Sequence, residues 1–444
     1  MKTMHLTNSW HASSGGIATF YRSLMEAANR RGHSMILVVP GQEDREENVG
    51  ARGRVYQVRS RAAPLNRDYR MISPRAYLAQ GSRLRQILQA EQPDLVEVCD
   101  KYTLNYFAGM LRTGMIGEVK HRPMVIGLSC ERMDDNVRAY LGWNRLVPGL
   151  VRFYMKWFYF SLFDHHIANS RYTSEELRPA SVGHPIQRRV WVRPMGVDFR
   201  ELSPTHRCSF VRRNLLQRAE ASGDAVLLLY AGRLAPEKNL SLLLETLFTL
   251  RGQGERDWRL ILVGNGAGQA AFLSEVARRR LSNHVTWLGH IGNRKELAQV
   301  YANCDAFVHP NPCEPFGIAP LEAMSSGLPL IAPDRGGVIS YANSSNAWTV
   351  PPTAETFAQA VREAVFDHAL RERRVANALV TAESFRWEKV AGSFLDLYED
   401  LLRCQAGELP RFPADFMSTP RDGGGGPAIA RLTAGIVQRL LTTH

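Results

Sequence analysis

Ten short apolar runs constrain this chain more than any other feature, because each is bounded by glycine, proline or charge and separated from the next by room for a helix. In the first half they are MHLTN (4–8), SMILVVP (34–40), DLVEVC (94–99), MVIGLS (124–129) and HHIANS (165–170). In the second half they are VLLLYAG (226–232), RLILVG (259–264), HVTWLG (284–289), DAFVHP (305–310) and LPLIAP (328–333). Such runs are the mark of strands buried on both faces, as in parallel sheets. Between them, segments such as 17–30 and 74–90 repeat apolar residues at three- and four-residue spacing, the period of an amphipathic helix. The scheme occurs twice. A chain of 444 residues exceeds what one core usually supports, so the expected fold is α/β with two Rossmann-like doubly wound domains. The join is expected near Arg193-Pro-Met-Gly-Val-Asp198, where proline and glycine interrupt the pattern. This gives domains 1–195 and 196–380, followed by a helix within 381–410 and a tail over 411–444.

Several function classes are excluded or disfavoured. No apolar run approaches the roughly 20 residues that cross a bilayer, and MKTMHLTNSW reads as a first strand rather than a signal peptide. A cytoplasmic location is expected, with a peripheral position on the inner face of the membrane as a variant. The six cysteines, Cys99, Cys130, Cys208, Cys304, Cys313 and Cys404, have no CxxC spacing and suggest neither a zinc site nor a disulfide framework. Charge is lopsided: residues 1–190 hold 27 Lys and Arg against 17 Asp and Glu, ten of the chain's net +12. The densest part runs from Arg52 to Arg85, a face suited to anionic lipid, phosphorylated substrates or nucleic acid. Nucleic-acid binding would want aromatics interleaved with the cations, and this run has only Tyr56, Tyr69 and Tyr77.

Ligands of open parallel sheets bind beyond the carboxyl ends of the strands, which directs attention to four loops. The first carries Ser14-Gly15-Gly16 at the opening of a helix, where backbone amides face an anion. The second, Gly232-Arg233-Leu-Ala-Pro-Glu-Lys238, sets a guanidinium and an ammonium five residues apart, the groups that neutralise a diphosphate. A third, Gly264-Asn-Gly266-Ala-Gly268, is a close-approach glycine loop. The fourth is Glu314-Pro-Phe-Gly-Ile-Ala-Pro-Leu-Glu322. Its two carboxylates would lie about 12 Å apart along a helix, too far for a glycosidase pair. Pro315 and Gly317 put Glu314 on the loop and Glu322 in the helix, so the two suit the ends of an elongated, hydroxyl-rich ligand.

These motifs, with His309-Pro-Asn-Pro-Cys-Glu314-Pro-Phe316-Gly317 and Glu322-Ala-Met-Ser-Ser-Gly327-Leu-Pro, resemble the retaining nucleotide-sugar glycosyltransferases of family 4. The likeness runs from the Gly15-Gly16 loop to Phe385-Arg-Trp387-Glu. It implies the GT-B fold, two domains facing across a cleft, with the acceptor side N-terminal, the nucleotide-sugar side C-terminal and the final helix crossing back to the first domain. It also implies a UDP- or GDP-linked hexose donor, with Glu314 on the sugar hydroxyls and Glu322 on the ribose. Arg233 and Lys238 would hold the diphosphate, with the amides of Phe316, Gly317 and Ile318 supporting sugar and phosphate. Gly15, Gly16, Gly232, Gly264 and Gly266 complete the expected donor site. No DxD-like pair stands in a donor loop, so two cations would do a metal ion's work, and neither metal nor cofactor is expected.

The likeness breaks at one point. Where relatives commonly show a histidine after the MVIGLS strand, this chain reads Ser129-Cys130-Glu131-Arg132, and a thiol is the poorer hydrogen-bond partner. His11 is an alternative imidazole; it joins Ser129, Cys130, Glu131 and Arg132 as candidate sugar or acceptor contacts. For the acceptor, a lipid-linked, phosphorylated or saccharide hydroxyl is expected. The aromatic stretch from Val151 to Phe160, with the arginines, suits an anionic membrane surface, while a buried helix is the plainer reading of the same residues. The competing functions are a same-fold epimerase or phosphorylase and a non-catalytic nucleic-acid-binding protein. Beyond the glycine run 423–426, Ile429, Leu432, Ile436 and Leu440 would line one side of a short amphipathic helix.

Overall fold

The computed structural model of the chain describes residues 1–10, 15–63, 66–141, 147–182, 190–254 and 256–407. The expectations for His11 and for the tail over 411–444 lie outside the described residues. The chain forms two compact units, one comprising Met1–Gly196 with the segment that starts at Trp387, the other Val197–Arg386.

In the first unit the strands are β1 (Lys2–Thr7), β2 (Ser34–Gly41), β3 (Arg45–Val49), β4 (Gly53–Arg59), β5 (Arg61–Ala63), β6 (Asn66–Met71), β7 (Leu95–Cys99), β8 (Met124–Ser129), β9 (His165–Ala168) and β10 (Val190–Val192). Eight of them make one sheet in the order β10-β9-β8-β7-β1-β2-β4-β3, parallel except where β3 turns back antiparallel along β4. β5 and β6 form a separate antiparallel ribbon. The second unit holds β11 (Val226–Ala231), β12 (Trp258–Val263), β13 (Val285–Trp287), β14 (Ala306–Val308), β15 (Leu330–Pro333) and β16 (Trp348–Val350). They form an all-parallel sheet ordered β13-β12-β11-β14-β15-β16. All ten apolar runs are strands. Of the others, β3 is a charged, exposed edge strand, and β10 and β16 are three-residue strands at the ends of their sheets.

Strands β1, β2, β7, β8 and β11 are buried along nearly their whole length because helices cover both faces. The arginine run does not make one continuous charged face. Arg85 is buried, donating to the Tyr77 carbonyl and pairing with Glu118 at 2.9 Å. Arg54 pairs with Glu91 at 2.8 Å, and Arg70 donates to the Ser60 carbonyl.

The first unit is tied together by a carboxylate in its core. Glu97 on β7 is fully buried, and its oxygens meet His5 Nδ1 of β1 at 3.0 Å and the Tyr21 hydroxyl of the helix Gly15–Arg30 at 3.2 Å. The Tyr398 hydroxyl of the C-terminal helix Trp387–Gln405 donates to the other oxygen. A buried charge is tolerable when hydrogen bonds satisfy it. Nearby, Phe394 of the C-terminal helix packs on Phe20 with ring centroids 4.9 Å apart, and Arg31 pairs with Asp396. A helix that follows the second unit in sequence is thus part of the first unit's core. Tyr398→Phe is expected to cost about 1.5–3 kcal/mol, the usual worth of a hydrogen bond to a charged group. In urea unfolding followed separately for each unit, the loss should fall on the first unit's transition and leave the second's midpoint unchanged.

Candidate active site

In the second sheet the chain proceeds outward from β11 through β12 to β13, then returns to place β14 on the other side of β11. Loops leaving β11 and β14 therefore diverge to opposite faces, and the crevice between them is where open α/β sheets take ligands. The two loops are held together across that crevice. After β11, the tight helical turn Pro236–Lys238 ends at Asn239, whose φ of 52° is left-handed and whose amide donates to the Pro310 carbonyl at 2.9 Å. Lys238 Nζ reaches both Glu314 oxygens, at 3.1 and 2.8 Å.

Glu314 lies on the loop, and Glu322 inside the helix Ile318–Ser325, as the proline and glycine spacing implied. Asn311 Nδ2 donates to Glu314 at 3.0 Å, and the Glu314 carbonyl accepts from Gly337 N at 2.6 Å. Burial pushes the Glu314 carboxyl up, but the Lys238 ammonium, the His309 ring and the hydrogen bonds from Lys238 and Asn311 outweigh it, holding the group at about 2. It is ionised at any physiological pH. His309 is buried at the end of β14, and its Nε2, 3.9 Å from Glu314, has no hydrogen-bond partner in the structure. Burial draws its pKa down to about 4 against the opposing pull of Glu314. The imidazole is neutral near pH 7.

Glu322 is in a different setting. It accepts a hydrogen bond from the Tyr301 hydroxyl at 3.0 Å, and burial raises its pKa, with Arg294 opposing. The Tyr341 hydroxyl donates to the Gly317 carbonyl. Burial and then the two carboxylates, Glu314 and Glu322, push its own pKa well up. Gly317, at φ 87°, caps the helix Ile318–Ser325 with no side-chain hydrogen bond to its first turn. The Phe316 side chain is core rather than ligand surface, 2% exposed and packed on Tyr341 and Phe385.

The glycines have a packing reason for being there. A Cβ on Gly264 would lie 2.0 Å from the Gly232 carbonyl oxygen, and one on Gly266 would lie 2.2 Å from that of Leu234. The loops after β11 and β12 therefore run in backbone contact, joined by Leu234 N to Asn265 O at 3.0 Å. Arg233 is about half exposed and pairs with Glu237 at 2.6 Å. Its carbonyl and the Tyr230 hydroxyl are 3.1 Å apart, and that tyrosine's pKa is raised by burial and then by Glu314 and Glu237. The sequence reading had His309 and Asn311 within the Glu314 motif but gave them no role, and it missed Tyr301, Tyr341 and the Gly336-Gly337 pair. Only the last had a readable signal: a Cβ on Gly337 would lie 2.0 Å from the Pro315 carbonyl oxygen, so the Glu314 loop rests on bare backbone.

The first unit has its own switch point, between β1 and β7. Asn8, after β1, donates to Asp100, after β7, at 2.9 Å, and Asp100 in turn accepts the amides of Tyr102, Thr103 and Leu104. Gly15 and Gly16 open the helix Gly15–Arg30, as expected. Ser129 is buried, its hydroxyl on the Glu131 carbonyl at 3.2 Å. The Cys130 thiol is held protonated by a hydrogen bond with Cys99 and by burial. Glu131 accepts from Asn136 at 2.9 Å, and burial raises its pKa. Arg132 is engaged within the unit, bidentate to Asp134 at 3.0 and 2.6 Å and stacked on Tyr172. Lys101, which the sequence did not single out, is buried and paired with Glu176 at 2.5 Å. Among the described residues, no group of three or more His, Cys, Asp or Glu is placed to hold a metal ion.

Comparison with known proteins bears on the family and the fold. The sequence pattern described as "Glycosyltransferase Family 4" matches residues 14–201, and the one described as "Glycosyl transferases group 1" matches 211–380. A GDP-mannose-dependent alpha-(1-6)-phosphatidylinositol dimannoside mannosyltransferase of Mycobacterium tuberculosis is 26% identical over 403 residues, 89% of this chain and 95% of that protein. A GDP-mannose-dependent alpha-mannosyltransferase of Corynebacterium glutamicum is 25% identical over 412 residues, 90% of this chain and 89% of its own length. The fold is similar to that of a sucrose-phosphate synthase from Thermosynechococcus elongatus, with a TM-score of 0.68 at 18% identity over 91% of this chain and 100% of that one. With one match on each unit and the two switch-point sheets in place, the chain belongs to the family 4 glycosyltransferases of GT-B fold.

Proposed function

We propose that this glycosyltransferase moves a hexose from a nucleotide diphosphate sugar to a hydroxyl of a lipid-linked acceptor, with retention of anomeric configuration and without a metal ion. The observation that carries the reading is the contact of Lys238 with Glu314 across the switch point. An ammonium has three donors, so Lys238 can hold the carboxylate and still offer charge to a diphosphate. Arg233 supplies the second cation. Glu314, fixed as an anion, accepts hydrogen bonds from sugar hydroxyls, and Glu322 from the ribose. The amides of Gly317 and Ile318, at an uncapped helix start, face the phosphate and sugar; Phe316 contributes backbone only. Gly232, Gly264 and Gly266 shape the donor loops, and the Gly15-Gly16 amides are a further anion contact. Ser129, Cys130 and Glu131 are the candidate acceptor contacts, with His11.

In the reaction the bond between the sugar's anomeric carbon and the phosphate oxygen breaks. The acceptor oxygen bonds to that carbon on the face the diphosphate leaves, and the acceptor's proton passes to the departing phosphate. Negative charge grows on the diphosphate as the bond opens, and cations fixed there lower the barrier because they stabilise the transition state more than the bound donor. The mycobacterial and corynebacterial relatives are GDP-mannose-dependent by name, which favours GDP-mannose over UDP-sugars. The former also acts on a phosphatidylinositol mannoside by name, which favours a glycolipid acceptor.

Arg233→Ala or Lys238→Ala should lower kcat with GDP-mannose by about two orders of magnitude or more, with circular dichroism unchanged. Full turnover in the folded double variant would end the reading. EDTA should leave transfer nearly unchanged; abolition with recovery on Mg²⁺ or Mn²⁺ would exclude metal independence. The pH dependence has a definite sign. A carboxyl held at about 2 stays ionised through the acid range, so Glu314 gives the wild type no acid limb above about pH 4. In Lys238→Ala, burial prevails and the Glu314 pKa rises. The residual activity should then fall as pH is lowered through the range just above the ordinary carboxylate value, measured as kcat/KM against pH.

A further inference from the structure

The segment 147–163 departs from how a surface helix is built. Its inner side is already satisfied, with Val151, Met155, Tyr159 and Phe160 in the first unit's core. The outer side of such a helix is normally polar. Here Leu150 is 69% exposed, Phe153 53%, Trp157 58% and Phe158 49%. Leu150, Phe153 and Trp157 follow at three- and four-residue spacing along the helix Val147–Tyr154 and the π-helical turn Met155–Tyr159, so they share one face. The π turn widens the repeat, letting Trp157 and Phe158 both face outward while Tyr159 turns in.

Charge on this segment is one-sided. From Asn136 to Phe163 the sequence has no Asp or Glu and four cations, Arg138, Arg145, Arg152 and Lys156. Arg152 is exposed beside Phe153, and Lys156 lies 5.5 Å over the Trp157 ring. A cavity of about 370 Å³ along the flank of the segment is lined by Arg152 and Lys156 together with Asp134, Glu175 and Glu176, so these two cations stand at the border between that cavity and the outer aromatic face.

We propose that this face docks on an anionic phospholipid surface, with Leu150, Phe153, Trp157 and Phe158 entering to headgroup and upper acyl depth and Arg152 and Lys156 on lipid phosphates. Exposed aromatics with flanking cations and no acid are the composition of an interfacial helix, and each basic residue near an anionic leaflet adds attraction that salt weakens. The inference deepens the lipid-acceptor reading and rests on it for its purpose, but its chemistry is independent of the reaction.

The test is co-sedimentation of the full chain with vesicles of phosphatidylcholine alone and of phosphatidylcholine with phosphatidylglycerol, alongside Phe153→Ser/Trp157→Ser and Arg152→Glu/Lys156→Glu variants. The wild type should bind the anionic vesicles in a salt-sensitive way. Each double variant should bind at least about tenfold more weakly while keeping the wild-type melting temperature and its hydrolysis of GDP-mannose in solution. Failure of wild-type binding, or binding that both variants retain, would overturn the proposal. A concentration-dependent dimer broken by Phe153→Ser/Trp157→Ser would overturn it in favour of a contact between copies. If vesicle binding behaves as expected but no nucleotide-sugar is consumed, the donor reading fails and the docking face stands.

Discussion

Reversal of strand order in a parallel sheet is the constraint on which the candidate site of the second unit depends. Because β12 and β14 lie on opposite sides of β11, their connections leave on opposite faces and a crevice opens at the carboxyl ends. Backbone groups at the rim need partners that neither helix layer supplies. The chain provides them through Asn239 on the Pro310 carbonyl and Gly337 on the Glu314 carbonyl, and Lys238 joins the same loops by its contact with the Glu314 carboxylate. The same contacts that close the rim hold one anion and one cation side by side, which a polyhydroxylated diphosphate can exploit.

The two carboxylates of the motif are chemically unlike because their surroundings differ. Glu314 has an ammonium, an amide and a neutral imidazole around it, and its charge wins over burial. Glu322 has a phenol and a more distant guanidinium, and burial wins. Tyr341 lies within reach of both and fixes the glycine between them through the Gly317 carbonyl. The Glu314 loop is therefore positioned by the aromatic cluster Phe316, Tyr341 and Phe385, and a change in that cluster would be felt at the carboxylates.

The first unit uses a different device for the same end. Glu97 anchors β1, β7, the first helix and the C-terminal helix to one buried charge. Such a network is unforgiving of partial satisfaction. At the rim, Asn8 and Asp100 hold the diverging loops as Lys238 and Glu314 do in the second unit. The composition that made the first half basic is divided between interior work, as in Arg85, ion pairs at the surface, as in Arg54, and an outward segment around Arg152 and Lys156.

Strands buried on both faces must be apolar throughout, so the ten apolar runs were legible as strands, and with them the α/β class. Glu314 on a loop and Glu322 in a helix followed from where Pro315 and Gly317 stand, because backbone conformation is a local property. The edge strand β3 and its neighbour β4 were not legible, since β3 is exposed and charged and β4 mixes buried with exposed residues. The arginine run could not be divided in advance into buried and exposed members, because a guanidinium buries only where a carboxylate or carbonyl from elsewhere meets it. The partners of Glu314, which include a histidine five residues away and a lysine 76 residues away, were decided by strand order, and strand order is a property of the folded sheet. The face of the helix at 150–158 was likewise undecided by sequence: its residues are apolar on both sides, and only packing against the core determined which side was left outside.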